Sequence, residues 1–61
     1  MPELKIGDRF YSVGNFYVTL NEITDTDYVF IDDGGSPWGG SKKDIGDFIV
    51  QGILTKVSEV E

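Results

Sequence analysis

The constraint that bears hardest on this chain is that its 61 residues include neither cysteine nor histidine. Domains this short bury only a modest share of their surface, and they commonly add disulfides or a structural metal to the core. Here no disulfide, no Cys/His zinc site and no thiolate nucleophile can be built. Stability must come from packing, and a core of this size supplies on the order of 3–5 kcal/mol net. The length allows one domain, 1–61, with 58–61 expected as a frayed acidic tail. Apolar residues make up 39% of the chain, enough for a single core. The expected contributors are Phe10, Phe16, Val18, Leu20, Ile23, Phe30, Ile31, Phe48, Ile49 and Val57.

Pattern along the chain is mainly of the β type. Leu4 to Val13 reads as a first strand, interrupted at Gly7-Asp8, and Gly14-Asn15 reads as a hairpin turn. From Phe16 to Ile23 the alternation is clean, with Phe16, Val18 and Leu20 on one face and Tyr17, Thr19 and Asn21 on the other. Thr24 to Asp27 is a polar turn, Tyr28 to Ile31 a strand apolar on both faces, and Asp32-Asp33-Gly34-Gly35 a second turn. Gly34 to Ser41, with four glycines, a proline and the single tryptophan, reads as a loop or a short irregular hairpin.

Ser41 has the character of a helix N-cap, with Asp44 three residues on. Ile45, Phe48 and Ile49 share one helical face, and Gly52 suits the residue just past a helix end. Gly46 inside the helix costs about 1 kcal/mol against alanine. Ile53 to Val57 is expected as a closing strand. The order predicts a mainly β domain, a small five-stranded SH3-like barrel with one short helical turn before the last strand. Closure removes the exposed edges that burden a small sheet. The alternative is a small open α+β sheet with the helix across one face.

Two stretches carry a resemblance. Ile6-Gly7-Asp8-Arg9-Phe10 followed by Tyr28-Val29-Phe30-Ile31-Asp32-Asp33-Gly34-Gly35 is similar to many SH3-like barrels. The segment from Ser41 through Asp44-Ile45, Phe48-Ile49 and Gly52 to Lys56-Val57 resembles small bacteriophage and prophage proteins. That likeness implies an accessory protein acting on a host or phage factor, in the host cytoplasm. A further likeness, to Tudor-type domains that read methylated side chains in an aromatic cage, breaks down at two positions. Asp33 stands where the strand-end tyrosine is usual, and no cage tryptophan follows Gly14-Asn15.

Eleven acidic against five basic residues give a formal net charge of −6. That field repels a phosphate backbone, so direct nucleic-acid binding is not expected. It favours instead a basic protein surface, including that of a nucleic-acid-handling host protein. No stretch approaches the roughly 18 apolar residues of a membrane span, and no signal-peptide pattern opens the chain. A cytoplasmic protein without membrane contact is the expectation.

Catalysis is not expected, nor is any cofactor or metal. Ser12, Ser36, Ser41 and Ser58 have no histidine to activate them. The aspartates at 25, 27, 32 and 33 match no calcium-loop spacing, and a domain this small has no cleft for a paired-carboxylate mechanism.

Partner binding is the expected role. Trp38, Tyr11, Tyr17 and Tyr28 supply aromatic anchors, and Asp25, Asp27, Asp32, Asp33 and Asp44 steer toward basic residues. The whole would inhibit or modulate a host protein through an acidic, aromatic-bearing face. Against this stand the plainer readings, that Trp38 lids the barrel end, the tyrosines pair across strands and the aspartates serve turns. A different reading makes residues 34–43 a nucleotide-binding or sponge loop, with Gly39, Gly40, Ser41, Lys42 and Lys43 receiving an anion. A third makes the chain a structural subunit of a larger assembly, and self-association into a homo-oligomer fits so small a domain.

Overall fold

The computed structural model describes residues 4–57. The elements are β1 (Arg9–Ser12), β2 (Phe16–Ile23), β3 (Asp27–Asp32), β4 (Pro37–Ser41), α1 (Lys42–Gln51) and β5 (Leu54–Lys56). They build a five-stranded sheet, antiparallel throughout, in the spatial order β4-β3-β2-β1-β5. The tail expected at 58–61 lies outside the described residues.

The turns form where their chemistry predicts. Asn15 takes a positive φ of 69° and donates its N–H to the Ser12 carbonyl at 2.9 Å, closing the β1–β2 hairpin. Thr24 Oγ1 accepts from the Asp27 and Thr26 N–H groups, and the Thr24 N–H reaches the Asp27 carbonyl at 2.9 Å. Asp32 Oδ1 accepts from the N–H groups of Gly34 and Ser36, both at 2.9 Å, which fixes the β3–β4 turn.

Phe10, Val18, Leu20, Phe30, Ile45 and Leu54 form the buried core, with Leu4, Phe16, Tyr28, Trp38, Phe48 and Ile49 packed around it. Phe10 meets Phe30 edge to face with ring centroids 5.7 Å apart. Ile45 and Leu54 belong to this core although neither was among its expected members. Three expected members do not belong. Ile31 sits on the opposite face from its neighbour Phe30, Ile23 is exposed beside the β2–β3 turn, and Val57 is only half-buried past the end of β5.

The architecture departs from expectation in four respects. The sheet is open rather than closed into a barrel, because the strand order ends at β4 and β5. The open α+β alternative describes it better. The helix is ten residues, not one turn. Its N-cap Ser41 Oγ accepts from Asp44 N–H, and Gly52 ends it with a φ of 82° and an N–H bound to the Ile49 and Phe48 carbonyls. At 1.5 Å per residue such a helix spans about 15 Å, and α1 packs against β3, β4 and β5. It thus covers the space that a β4–β5 ladder would otherwise close.

The third departure is one of regularity: of the loop and irregular-hairpin readings of this segment the hairpin holds, and residues 37–41 form a regular paired edge strand, β4. Glycine suits this strand. A β-carbon on Gly39 would lie 2.3 Å from the Tyr28 carbonyl oxygen. Finally, β1 begins at Arg9 and not at Leu4. Residues 5–8 turn instead, with Asp8 N–H on the Lys5 carbonyl at 3.0 Å and Asp8 Oδ2 accepting from Lys5 N–H at 2.8 Å.

Candidate functional site

Because α1 packs on one face of the sheet, the residues that alternate away from Phe10, Val18 and Phe30 form a second face without a helix over it. Strand register sets them side by side. Tyr11 of β1 stands opposite Tyr17 of β2, and Arg9 opposite Thr19. Thr19 in turn faces Ile31 of β3, which faces Pro37 of β4. Val29, two residues before Ile31, shares this side.

The tyrosine pair organises the patch. The rings of Tyr11 and Tyr17 lie 5.0 Å apart at 64°, and the Tyr11 hydroxyl donates to the Asn15 side chain. The guanidinium of Arg9 sits 5.2 Å from the centroid of Tyr17 and also reaches Asp33 Oδ1 at 3.4 Å. Both partners of that ion pair are well exposed, so it contributes about 0–1 kcal/mol and serves mainly to hold Arg9 over the ring. Tyr17 remains 38% exposed despite its two neighbours, so its ring edge and hydroxyl are open to a partner. The arrangement buries apolar area and offers hydroxyl and guanidinium hydrogen bonds, and no side chain in it is a nucleophile set beside a base.

The four aromatic residues singled out from the sequence therefore divide two and two. Tyr11 and Tyr17 share the uncovered face. Trp38 turns to the helix side, where it meets Phe30 at 5.6 Å, Phe16 at 6.3 Å and Phe48 at 6.4 Å between ring centroids. Tyr28 also packs against the core, with Lys42 Nζ 5.7 Å from its ring centre.

The aspartates are spread out as well. Asp25 and Asp27 flank the start of β3, whereas Asp32 and Asp33 close its far end, roughly 20 Å away for a strand of this length. Asp32 is engaged in its turn, Asp33 meets Arg9, and Asp44 lies in the first turn of α1. Only Asp33 adjoins the tyrosine pair.

The residues proposed to receive an anion do not converge either. Gly39, Gly40 and Ser41 belong to β4, Ser41 Oγ is used in the helix cap, and Lys43 pairs with Asp47 at 3.4 Å. Arg9, Val29, Ile31 and Pro37 were not singled out from the sequence. The signal for Arg9 was present, since it lies two residues before Tyr11 and so on the same strand face. Ile31 and Pro37 join only through cross-strand register.

Among the described residues, no helix is long and apolar enough to cross a membrane. Compared with known families, curated proteins and solved structures, the chain matches none of them.

Proposed function

We propose that this protein is a non-catalytic binding module that occupies the surface of another protein through the face carrying Tyr11, Tyr17, Arg9 and Ile31. The observation that carries the proposal is the tyrosine pair itself, set on the side of the sheet opposite α1 with Tyr17 still exposed. Tyrosine and arginine are the residue types most often found as interface anchors, because each combines a large contact area with a polar tip. The neighbouring Ile31 and Pro37 supply an apolar surround, and the net charge of −6 directs the approach of a basic partner. The phage resemblance belongs to the same reading. It makes the partner a host protein, basic or nucleic-acid-handling, that the module inhibits or modulates in the cytoplasm.

The finer fold reading is that the domain is SH3-like in topology. Support comes from its five short antiparallel strands, with β5 delivered to β1 after a helical segment. In this reading α1 takes the place of the ladder that would complete a barrel. The nucleotide-sponge alternative receives less support, because residues 37–41 are committed to a strand and a helix cap.

A tagged pull-down from bacterial lysate at low salt, compared between wild type and Tyr17→Ala, tests the proposal. A stoichiometric partner captured by the wild type should be lost from the variant, at a cost on the order of 2 kcal/mol in binding. The fold should survive, since an exposed cross-strand pair contributes at most about 1 kcal/mol. Equal capture by a folded Tyr17→Ala protein would move the interface elsewhere.

A further inference from the structure

On the helix side of the molecule an apolar groove of about 140 Å³ opens between α1, β1 and the segment preceding it. Phe10, Tyr28, Ile49 and Val50 form its walls with Leu4. For scale, a cavity of about 150 Å³ lined by Leu, Ile and Phe holds one benzene molecule.

Two features of the groove bear on what it could hold. The first is Gly46, which lines it from the middle of α1. Glycine in a helix interior is unfavourable against alanine, through the backbone freedom lost on folding. At Gly39 a glycine is required by contact, and at Gly52 by a positive φ. At Gly46 neither applies: its φ is not positive, and an added β-carbon would meet nothing within 4 Å. A glycine here leaves the groove wall without a side chain at the middle of the helix.

The second feature is charge. The chain has only five basic residues, and two of them, Lys42 and Lys56, line this one groove. Lys56 lies 3.6 Å from Asp8, while Lys42 forms no ion pair among the described residues and holds its ammonium over Tyr28. A strongly acidic molecule thus sets two ammonium groups at the rim of an apolar floor, that of Lys56 shared with Asp8.

We propose that this groove binds a small organic carboxylate carrying one ring-sized apolar group, with the ring against Gly46, Phe10 and Ile49 and the carboxylate facing Lys42 and Lys56. A groove of about 140 Å³ matches one ring in size. The rim charge selects an anion over a neutral or cationic ligand of the same shape. This site lies on the side of the sheet opposite the tyrosine face, so it stands or falls apart from the protein-binding proposal.

Phenylpropionate is the probe, titrated into the full chain while backbone amide resonances are followed by NMR. Saturable shifts are expected at Gly46, Ile49, Val50 and Lys56. Phenylpropylamine, with the same ring and opposite charge, should bind at least about fivefold more weakly. Propionate, lacking the ring, should give no saturable shift.

The variant Gly46→Ala separates a binding role from a structural one. Removing the helix cost should raise the melting temperature by about 4–8 °C, while the added methyl group weakens phenylpropionate binding severalfold. Absence of saturable shifts in the groove would overturn the site. So would a stabilised Gly46→Ala protein that binds the probe unchanged, and equal binding of the amine would overturn the assignment of a carboxylate.

Discussion

At Gly39 a β-carbon would sit 2.3 Å from the Tyr28 carbonyl oxygen and 3.2 Å from the α-carbon of Val29. Both obstacles are backbone, so neither can swing aside as a side chain would. Gly39→Ala should therefore push β4 away from β3 and cost on the order of 1–3 kcal/mol, as overpacking does. A lowered urea midpoint would register it, and an unchanged midpoint would mean that β4 shifts freely. Phe30 is the other decisive position, fully buried and in edge contact with both Phe10 and Trp38. Truncation there costs about 3–5 kcal/mol, as much as a core this size supplies in total. Phe30→Ala is expected to be largely unfolded at room temperature, seen as a collapse of amide dispersion in the NMR spectrum.

Among the elements, α1 is the one whose ends are most fully specified by local chemistry. Ser41 at its start and Gly52 at its end bracket ten residues, and Ile45, Phe48 and Ile49 give it one buried face. Its first turn also carries Asp44, favourably placed against the helix dipole. Ser41→Ala removes the acceptor for Asp44 N–H and should destabilise the protein by about 1 kcal/mol. Gly52→Ala forces a β-carbon into a left-handed conformation at a similar cost, about 1 kcal/mol. Thermal melts of both variants check the pair. Because the two caps sit at opposite ends of the helix and share no partner, the double variant should lose roughly the sum. The β2–β3 ladder has its own local device, a bulge between Leu20 and Glu22. It shifts the register so that Glu22 faces Val29 and Ile23 faces Tyr28, which is why simple alternation misplaces the end of β2.

For the whole molecule, the consequence of scale is that charge acts at a distance while contact is confined to small patches. The aspartates lie at both ends of β3 and on α1, so their charge is spread over the molecule and not gathered on one face. Association with a basic partner should therefore slow as salt rises, because at 0.1 M ionic strength charges more than about 10 Å apart are largely screened. Stopped-flow association rates at low and high salt measure this. Dissociation, which the proposed interface assigns to the tyrosine contacts, should change little. A salt-independent association rate would remove steering from the proposal and leave the acidity as a solubility feature.

Turn chemistry, strand alternation and helix caps are local, and they were legible in the chain before any fold was known. Asn15, Thr24, Asp32, Ser41 and Gly52 act within four residues of themselves, and each occupies the turn or cap that its residue type favours. What tertiary structure decided was everything that depends on which element meets which. Residues 37–41 look like a loop because glycine and proline are poor strand formers, yet β3 offers them a ladder and Gly39 the necessary close approach. Ile31 leaves the core because burial follows the face that α1 covers, which the pattern of β3 alone does not encode, whereas Ile45 follows the helical face it shares with Phe48 and Ile49. The four aromatic residues looked equivalent in the chain. The sheet separated them, since Tyr11 and Tyr17 alternate away from Phe10 and Val18, whereas Trp38 is paired with Phe30 and shares its inward direction.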